Sequence, residues 1–479
     1  MFHGILSQWG LNIEDYENLI KEGAGTALSD LDFLTLELNK WLKSKKRREM
    51  LDGKEYYTYE AEPFKREKLW GADADGCPTY IKEEYQSNID NQYAKLVDQK
   101  VNYLLGKPFS LQTDNKEYTE WLKQIFDKSF QRTLQAVTML AINQGVSWLH
   151  PYYNESGELV FKLLPAHEVL PFWKDREHIT LDIALHWFVT MAYEGRQERI
   201  VQHVDVYSKD RVEHYILENG VLVEDVERPT SVLTWGVVPL VPFKYNPLEI
   251  PLIRRIKHLQ DNLNIMRANW DKNMSESVMD NILILRNYGG ENLSEFRQNL
   301  MRHGAVKVRD DGGVEVLRLD RDSNSYIQYL KDTKAAIIEN GRGFDAKDDR
   351  MSSNPNEMNL RSMYSDIDLD ADMVEQQYQA SFDQLLWFVD EYLKQAGAGD
   401  FSREEVVFTF DRNIIVNNAE VISDIQSSQG IVSKETLLAR HPFVNDVQME
   451  LQRLKAEKEE QEKSLANYPF NQVGDDNAS

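Results

Sequence analysis

Apolar residues recur three or four positions apart through the region from Ser325 to Leu393. This period predicts a helix, a break at Gly341–Gly343 where two close glycines favour a turn, and then a much longer amphipathic helix. About 35 residues at 1.5 Å each predict a second helix of roughly 50 Å. The polar loop AKDDRMSSNPNE separates the two helices. The apolar stripe of the long helix is formed by Leu360, Met363, Tyr364, Ile367, Ala371, Val374, Tyr378, Phe382, Leu385, Val389 and Tyr392.

Elsewhere the apolar spacing changes between helical and strand-like segments. Between Gly145 and Tyr245 the chain is a series of β-branched and aromatic runs with turn residues between them, which predicts mainly antiparallel sheet. Helical spacing covers much of residues 1–60 and the tail. It also predicts helices at Ile81–Leu105, Tyr118–Asn143, Leu252–Met274, Val421–Gln429, Lys434–Arg440 and Asp446–Lys463.

A small segment of mixed character lies at residues 279–320. NILILRN predicts a strand, SEFRQNLMRH a short helix, and AVKVRDDGGVEVLRL a hairpin around Asp310–Gly313. About forty residues bury little surface alone, so we expect this segment to lean on neighbours, including copies of itself.

Length and composition limit the class of protein. A chain of 479 residues exceeds one compact core, and no run approaches the roughly 18 apolar residues of a membrane span. The N-terminus lacks the pattern of a secretory signal, and the single cysteine, Cys77, excludes an internal disulfide framework. We therefore expect synthesis in a reducing cytoplasm and no membrane association.

The net charge of −24 argues against a general nucleic-acid binder, which normally carries a basic stripe. Two interpretations stay open. The acidity serves solubility, or it forms a wall along which nucleic acid passes without sticking, because like charge repels phosphate.

Candidate chemical motifs do not form a catalytic constellation. Gly341–Ala346 matches G-x-G-x-x-A, but a helix precedes it and a charged loop follows, whereas a dinucleotide site needs a strand before and a helix after. There is no HExxH zinc motif and no G-x-S-x-G elbow. The sequence predicts a protein that is not an enzyme and that needs no cofactor or metal.

Four aspartates alternate at Asp366, Asp368, Asp370 and Asp372, as in a calcium loop. Ala371 occupies the sixth position instead of glycine, and Gln377 the twelfth instead of glutamate. Alternate residues also diverge around a helix axis, so they cannot share one metal. We expect a solvated acidic face, with Asp366 and Asp370 repelling DNA if that face meets a channel. The rival interpretation is a metal-dependent nucleic-acid-processing enzyme that uses this Asp366–Asp372 cluster.

The order of parts resembles the portal, or head–tail connector, proteins of tailed bacteriophages, particularly the siphophage type of Gram-positive hosts. No single motif carries the resemblance; several stretches in a fixed order do. They are NQYAKLVDQKVNYLLGKPFS, VVPLVPFKYNP, the basic helix from Leu252, DNILILRNYGG, LRSMYSDIDLDAD, FDRNIIVNNAEVI and SQGIVSKETLLARHPFVND.

The resemblance implies an α+β, mainly helical, ring-forming multidomain portal fold. Residues 1–247 would form the wing (helical over 1–144, sheet-rich over 145–247), and 248–275 and 323–341 the two stem helices. The other segments would be the clip at 276–322, the tunnel loop at 342–357, the long tunnel helix at 358–397, a helical crown at 398–470 and a disordered tail at 471–479.

The implied function is a dodecameric ring at one capsid vertex, present in the virion and assembled in the host cytoplasm. Double-stranded DNA would pass through it without sequence recognition during packaging and ejection. Its partners would be terminase, the major capsid and scaffolding proteins, and a head-completion adaptor.

The resemblance also suggests site residues. In the tunnel loop, DNA would lie near Arg342, Lys347, Arg350, Ser352 and Asn354, although these cations could equally be solvated and paired with Asp345, Asp348 and Asp349. In the clip, terminase would dock near Arg286, Arg297, Arg302 and Arg309. One departure stands out: Asn354-Pro355-Asn356-Glu357 enters the long helix where many relatives have a Ser-Gly-type step.

Overall fold

The computed structural model describes two compact units, Met1–Phe344 with Asp366–Arg412, and Asp345–Ser365 with Asn413–Ser479. Within them, the described residues are 30–59, 65–72, 78–84, 89–194, 197–275, 282–286, 312–317, 323–345, 357–412, 418–444 and 447–466. The helix expected near the N-terminus, the short helix of the 279–320 segment and the disordered tail lie outside these residues.

The first unit begins with helices and one hairpin. Helix α1 spans Asp30–Leu42, and α2 spans Lys45–Thr58, capped by the Ser44 side chain. Strands β1 (Lys65–Ala72) and β2 (Pro78–Glu84) then pair antiparallel. The helix predicted from Ile81 is therefore wrong in its first part. Helix α3 (Gln92–Leu105) begins only after Asn91, whose side chain accepts from the Ala94 N–H and starts the first turn.

The helical segment predicted from Tyr118 to Asn143 is two helices. Strand β3 (Ser110–Gln112) comes first, followed by α4 (Lys116–Ile125) and α5 (Lys128–Gln144). The break has a local cause: the Asp127 carboxylate accepts hydrogen bonds from the Ser129 and Phe130 N–H groups, which caps a new helix.

The predicted antiparallel sheet region is confirmed, and it forms two sheets. The smaller has the order β12-β4-β5 and the larger β10-β9-β8-β7-β6, with β11 pairing with β9 beside β10. A 3₁₀ turn at Ala166–Glu168 links β5 to β6. The strands are β4 (Val146–Tyr153), β5 (Leu159–Pro165), β6 (Val169–Trp173), β7 (Leu181–Glu194), β8 (Gln197–Tyr207), β9 (Arg211–Glu218), β10 (Val221–Glu224), β11 (Ser231–Val232) and β12 (Val241–Lys244).

Two apolar clusters hold the sheets. One face of the larger sheet packs on α1, where Leu38 and Trp41 meet Leu185, Val204 and Leu217. A second cluster joins both sheets to α2; it contains Met50, Val146, Trp148, Leu164, Ala184, Tyr207, Val212 and Leu240. Both faces of the larger sheet are therefore buried where these clusters lie, because the neighbouring residues Leu185 and Ala184 point to opposite faces.

A pair of helices follows the sheets. Helix α6 (Ile253–Ser275) leads to β13 (Ile282–Arg286), which pairs antiparallel with β14 (Gly313–Leu317), and α7 (Ser323–Asn340) returns. Trp270 stacks on Tyr326 with ring centroids 4.1 Å apart, and the Tyr326 hydroxyl donates to the Met266 carbonyl at 2.8 Å. Residue 270, late in α6, meets residue 326, early in α7, so the two helices run antiparallel.

The long helix predicted from the apolar stripe is α8, Glu357–Gln395. Within the first unit, Phe382 lies fully buried and stacks on Phe408, 4.0 Å between centroids. Phe408 belongs to β15 (Val407–Thr409), which pairs with β3. Residues up to Arg412 belong to the first unit.

The C-terminal part of the second unit is helical, as predicted. It contains α9 (Asn418–Ser427), α10 (Lys434–Ala439) and α11 (Val447–Ala466). The Ser433 hydroxyl accepts from the Thr436 N–H and caps α10, which packs against α11. None of the described helices is long and apolar enough to cross a membrane.

Candidate functional site

The turn that follows α7 packs closely against α3 and is hydrogen-bonded to it. A Cβ added at Gly343 would lie 2.2 Å from the Leu96 Cδ2, and one at Gly341 would lie 2.6 Å from the Leu96 Cδ1. The Gln99 amide group donates to the Phe344 carbonyl at 2.7 Å and accepts from the Phe344 N–H at 3.0 Å. The two glycines of the Gly-Arg-Gly step are therefore explained by the close approach of this turn to the Leu96 side chain.

A buried carboxylate lies beside this turn. Asp370 of α8 is 2% exposed, and its Oδ2 accepts from the Lys100 ammonium group at 2.7 Å and from the Tyr245 hydroxyl at 2.7 Å. Lys100 comes from α3, and Tyr245 directly follows β12. One carboxylate group thus links the long helix α8, helix α3 and the smaller sheet.

Two arginines complete this cluster, which we call the Asp370 hub (Lys100, Tyr245, Arg255, Arg342 and Asp370). The Arg255 and Arg342 guanidinium groups lie 3.7 and 3.8 Å from the Asp370 Oδ1. That oxygen has no hydrogen-bond partner among the described residues, so the arginines act through charge alone. The Lys100 ammonium also donates to the Arg342 carbonyl at 2.9 Å, and Arg342 adopts a left-handed conformation, φ +51°.

Burial shifts the pKa values of two residues of the hub. Burial lowers the pKa of Lys100, and the neighbouring Asp370 carboxylate opposes that shift. Burial, together with Asp370, raises the pKa of Tyr245 well above its usual value. Charges buried this deeply are tolerated only when paired and hydrogen-bonded, so the five residues function as one unit.

The solvated acidic face expected on α8 is wrong for Asp370. Asp366 is exposed, but Asp370 is buried in the hub. Two further carboxylates of this helix, Asp368 and Asp372, pair with the Arg412 guanidinium. Asp370 is thus paired on one side of the helix, and Asp368 and Asp372 are paired on another. Within the described residues no group of His, Cys, Asp or Glu could hold a metal ion. The metal-dependent interpretation therefore has no geometric support.

A second ionic cluster ties the helix pair to α3. Asp90, just before α3, pairs with Arg267 of α6 and, at 2.7 Å, with Lys334 of α7. Burial raises the pKa of Asp90, but these cations and Gln92 outweigh burial and hold it below its usual value. The Gln260 side chain of α6 accepts from the Gln92 N–H at 3.0 Å. Both helices of the pair are thus anchored to one end of α3, and the hub lies nearer the other.

Of the residues predicted for the loop, only Arg342 is described. Its guanidinium lies at the hub and its side chain is 44% exposed. Among the clip arginines, Arg286 ends β13, opposite Gly313. The other predicted positions lie outside the described residues: Lys347, Arg350, Ser352, Asn354, Arg297, Arg302 and Arg309.

Sequence reasoning missed Lys100, Tyr245, Arg255 and Arg412. A signal existed for Lys100: it falls in step with Tyr93, Leu96, Val97, Tyr103 and Leu104, which all lie on the buried side of α3. A lysine at a core position predicts a buried acidic partner.

The comparisons with known proteins decide the family. A family model described as phage portal protein, SPP1 Gp6-like, matches residues 42–464. This chain belongs to that family. It is 29% identical over 442 residues to the portal protein of Bacillus phage SPP1, with 89% of this chain and 87% of that protein aligned. It is 24% identical over 443 residues to the portal protein of Clostridium phage phiCD119, covering 89% of this chain and 96% of the relative.

Family membership changes how the hub is interpreted. The charged groups of the hub are paired with one another. They connect the end of α7 to α8 and α3. Membership of the phage portal family points to a component of the virion capsid.

Proposed function

We propose that this portal protein forms a closed, dodecameric ring at one capsid vertex and that double-stranded DNA passes through its centre. The observation that supports this proposal is how firmly the chain is held where the segment between α7 and α8 begins. Its entry is fixed by the Gln99–Phe344 hydrogen bonds and the close packing of Gly343 on Leu96. A polar segment that begins from so rigid a base suits a projection into open space.

The antiparallel helices α6 and α7 are proposed as the stem, and the β13–β14 pair as part of the clip. The basis is their order in the chain and the anchoring of both helices at Asp90. A two-stranded pair is marginal alone, so neighbouring copies would complete the clip. We propose that the clip, with Arg286, Arg297, Arg302 and Arg309, docks terminase, which would supply ATP hydrolysis, and later the head-completion adaptor.

Contact with DNA is proposed to be transient and independent of sequence. The net charge of −24 disfavours tight binding of phosphates, and the exposed Asp366 adds to repulsion if it faces the channel. Lys347, Arg350, Ser352 and Asn354 of the loop would touch the backbone in passing. Arg342 is assigned a different task, because its charge already faces Asp370: it holds the base of the loop.

Two experiments test this function. Negative-stain images of the purified protein should show rings with a central hole; a monomer at high concentration would overturn the ring. Deleting Lys347–Asn354 should leave rings intact but reduce the DNA packaged per particle. A Gly-Ser segment of equal length is the matched control, since it restores loop length without the side chains. Normal packaging by the deletion variant would remove the loop from the mechanism.

A further inference from the structure

Two strands of the larger sheet extend beyond their neighbours. Strand β6 pairs with β7 only as far as His186, and β9 pairs with β8 only from His203 onward. From Val189 to Gln202, β7 and β8 therefore pair only with each other among the described strands. We call residues 189–194 and 197–202 the arm. Six paired rows at about 3.4 Å each make it roughly 20 Å long.

One face of the arm carries three exposed apolar side chains, with Gln202 opposite Val189 at its inner end. Met191 lies directly opposite Ile200, and Val189 lies two residues before Met191, so all three side chains share a face. Met191 and Ile200 are each 67% exposed, and Val189 is 45% exposed. These are large apolar side chains placed side by side in water, on strands that have no further sheet to join.

The same face is the core face on the body of the sheet. Leu185 and Val204 lie on it in the same alternation, and there they are fully buried against α1. The last covered position toward the arm is Trp187, over which the Arg47 guanidinium lies at 5.0 Å. Beyond it, no described residue covers the face, although its apolar pattern continues.

A two-stranded arm with exposed apolar side chains tends to associate with other chains. A two-stranded hairpin is marginally stable alone, and free apolar strands invite pairing with other chains. Contiguous exposed apolar side chains on a folded protein mark an interaction site. The pattern of the arm is that of a buried surface, so its partner is expected to be apolar.

We propose that the Val189–Met191–Ile200 face of the arm packs against a neighbouring copy of this chain; the inference rests on the proposed ring. A closed ring of identical chains needs lateral surfaces that the chain itself supplies. With a net charge of −24 on every copy, neighbours repel one another over distance, so apolar contact is the favourable term available between them. The arm extends past the sheet edge and supplies such a contact.

The first test measures burial in the assembled protein. In a Cys77→Ser background, Met191→Cys is compared with Val226→Cys, a control position that is 93% exposed and lies outside the arm. Ring fractions are labelled with a water-soluble maleimide. The two positions should react at similar rates in a free chain, whereas docking should slow Met191→Cys at least tenfold relative to the control in rings.

Three results would overturn the proposal. Equal rates in rings would show that the face is open. Slow labelling of a monomer fraction as well would assign the cover to the chain itself. Fast labelling in isolated rings but slow labelling in procapsids would assign it to the capsid shell.

A second test measures assembly. Met191→Asp should lower the ring fraction at fixed subunit concentration at least tenfold, as measured by mass photometry, while circular dichroism stays that of the wild type. Val226→Asp should assemble normally. Normal ring formation by Met191→Asp would also refute the contact. If the wild type forms no rings, the proposed function itself fails; if rings form and Met191 stays reactive, only the arm inference fails.

Discussion

The Asp370 hub allows a sharp test of what holds the base of the predicted loop. Replacing Asp370 with Asn keeps the shape of the side chain but removes its charge. Lys100, whose side chain is 5% exposed, would then retain its positive charge with only the Arg342 carbonyl and the new amide oxygen as acceptors. Arg255 and Arg342 would also face the site without a counter-charge.

The expected loss of stability is large. Removing one partner of a buried ion pair costs about 3–5 kcal/mol, because it strands the other charge in a poorly solvated site. Asn still accepts hydrogen bonds, so we expect about 3 kcal/mol. The matched control is Asp366→Asn, one turn earlier on α8 and exposed, which should change the stability by less than about 0.5 kcal/mol.

The measurement is urea unfolding followed by tryptophan fluorescence at one fixed subunit concentration, since assembly also shifts apparent stability. A pH series adds a specific signature. Burial lowers the pKa of Lys100, and losing Asp370 lowers it further. Between the folded pKa and the unfolded value of 10.5, the unfolded state binds more protons, so stability rises with pH.

The free energy of unfolding of Asp370→Asn therefore rises more than that of the wild type as the pH goes from 7 toward 10. The difference in stability between the two proteins should narrow over this range. A loss under about 1 kcal/mol would show that the charges are not coupled. A loss that is the same at every pH would show that packing, and not the stranded ammonium group, is responsible.

Two further predictions concern neighbouring features of the fold. Gly343→Ala should destabilise the first unit by about 1–3 kcal/mol, because the new methyl group would overlap Leu96. In thermal unfolding, Gly343→Ala should cost clearly less in a Leu96→Ala background than in the wild type, and an equal cost in both backgrounds would refute the steric cause. Glu249→Gln should cost about 3 kcal/mol at pH 7, because this buried carboxylate pairs with Lys46 and His178, each at 2.8 Å. Burial raises the pKa of Glu249 but these partners lower it more, so the contribution is present above the unfolded value of 4.5 and is lost as pH falls toward the folded pKa. Urea unfolding at pH 7 and 3 should show the difference between variant and wild type shrinking, and an unchanged difference would contradict this account.

Local pattern was a good guide where one segment determines its own structure. The apolar stripe from Leu360 to Tyr392 predicted α8, and the strand-like runs after Gly145 predicted the antiparallel sheets. Local pattern failed where a single capping side chain decides the residue at which a helix begins. Asn91 delays α3, and Asp127 divides one predicted helix into two.

The candidate site was harder to predict because its members are far apart in the chain. Lys100 and Asp370 are separated by 270 residues, and nothing local pairs them. The alternating aspartates suggested a shared acidic face, yet successive alternate residues on a helix point about 200° apart. Asp370 therefore meets Lys100, whereas Asp368 and Asp372, four residues apart and on the same side of α8, both meet Arg412.

By itself, the sequence determined the helices, the strand-rich region and the order of parts that resembles a portal protein. These follow from periodicity, which is written into each segment and needs no distant contact. Only the tertiary structure decided which charges are buried and what the Gly-Arg-Gly step is for. Burial depends on which surfaces meet, and here α3 meets both the end of α7 and the middle of α8. On an exposed face, the negative charge of Asp370 would repel DNA. In the interior, it instead stabilises the fold.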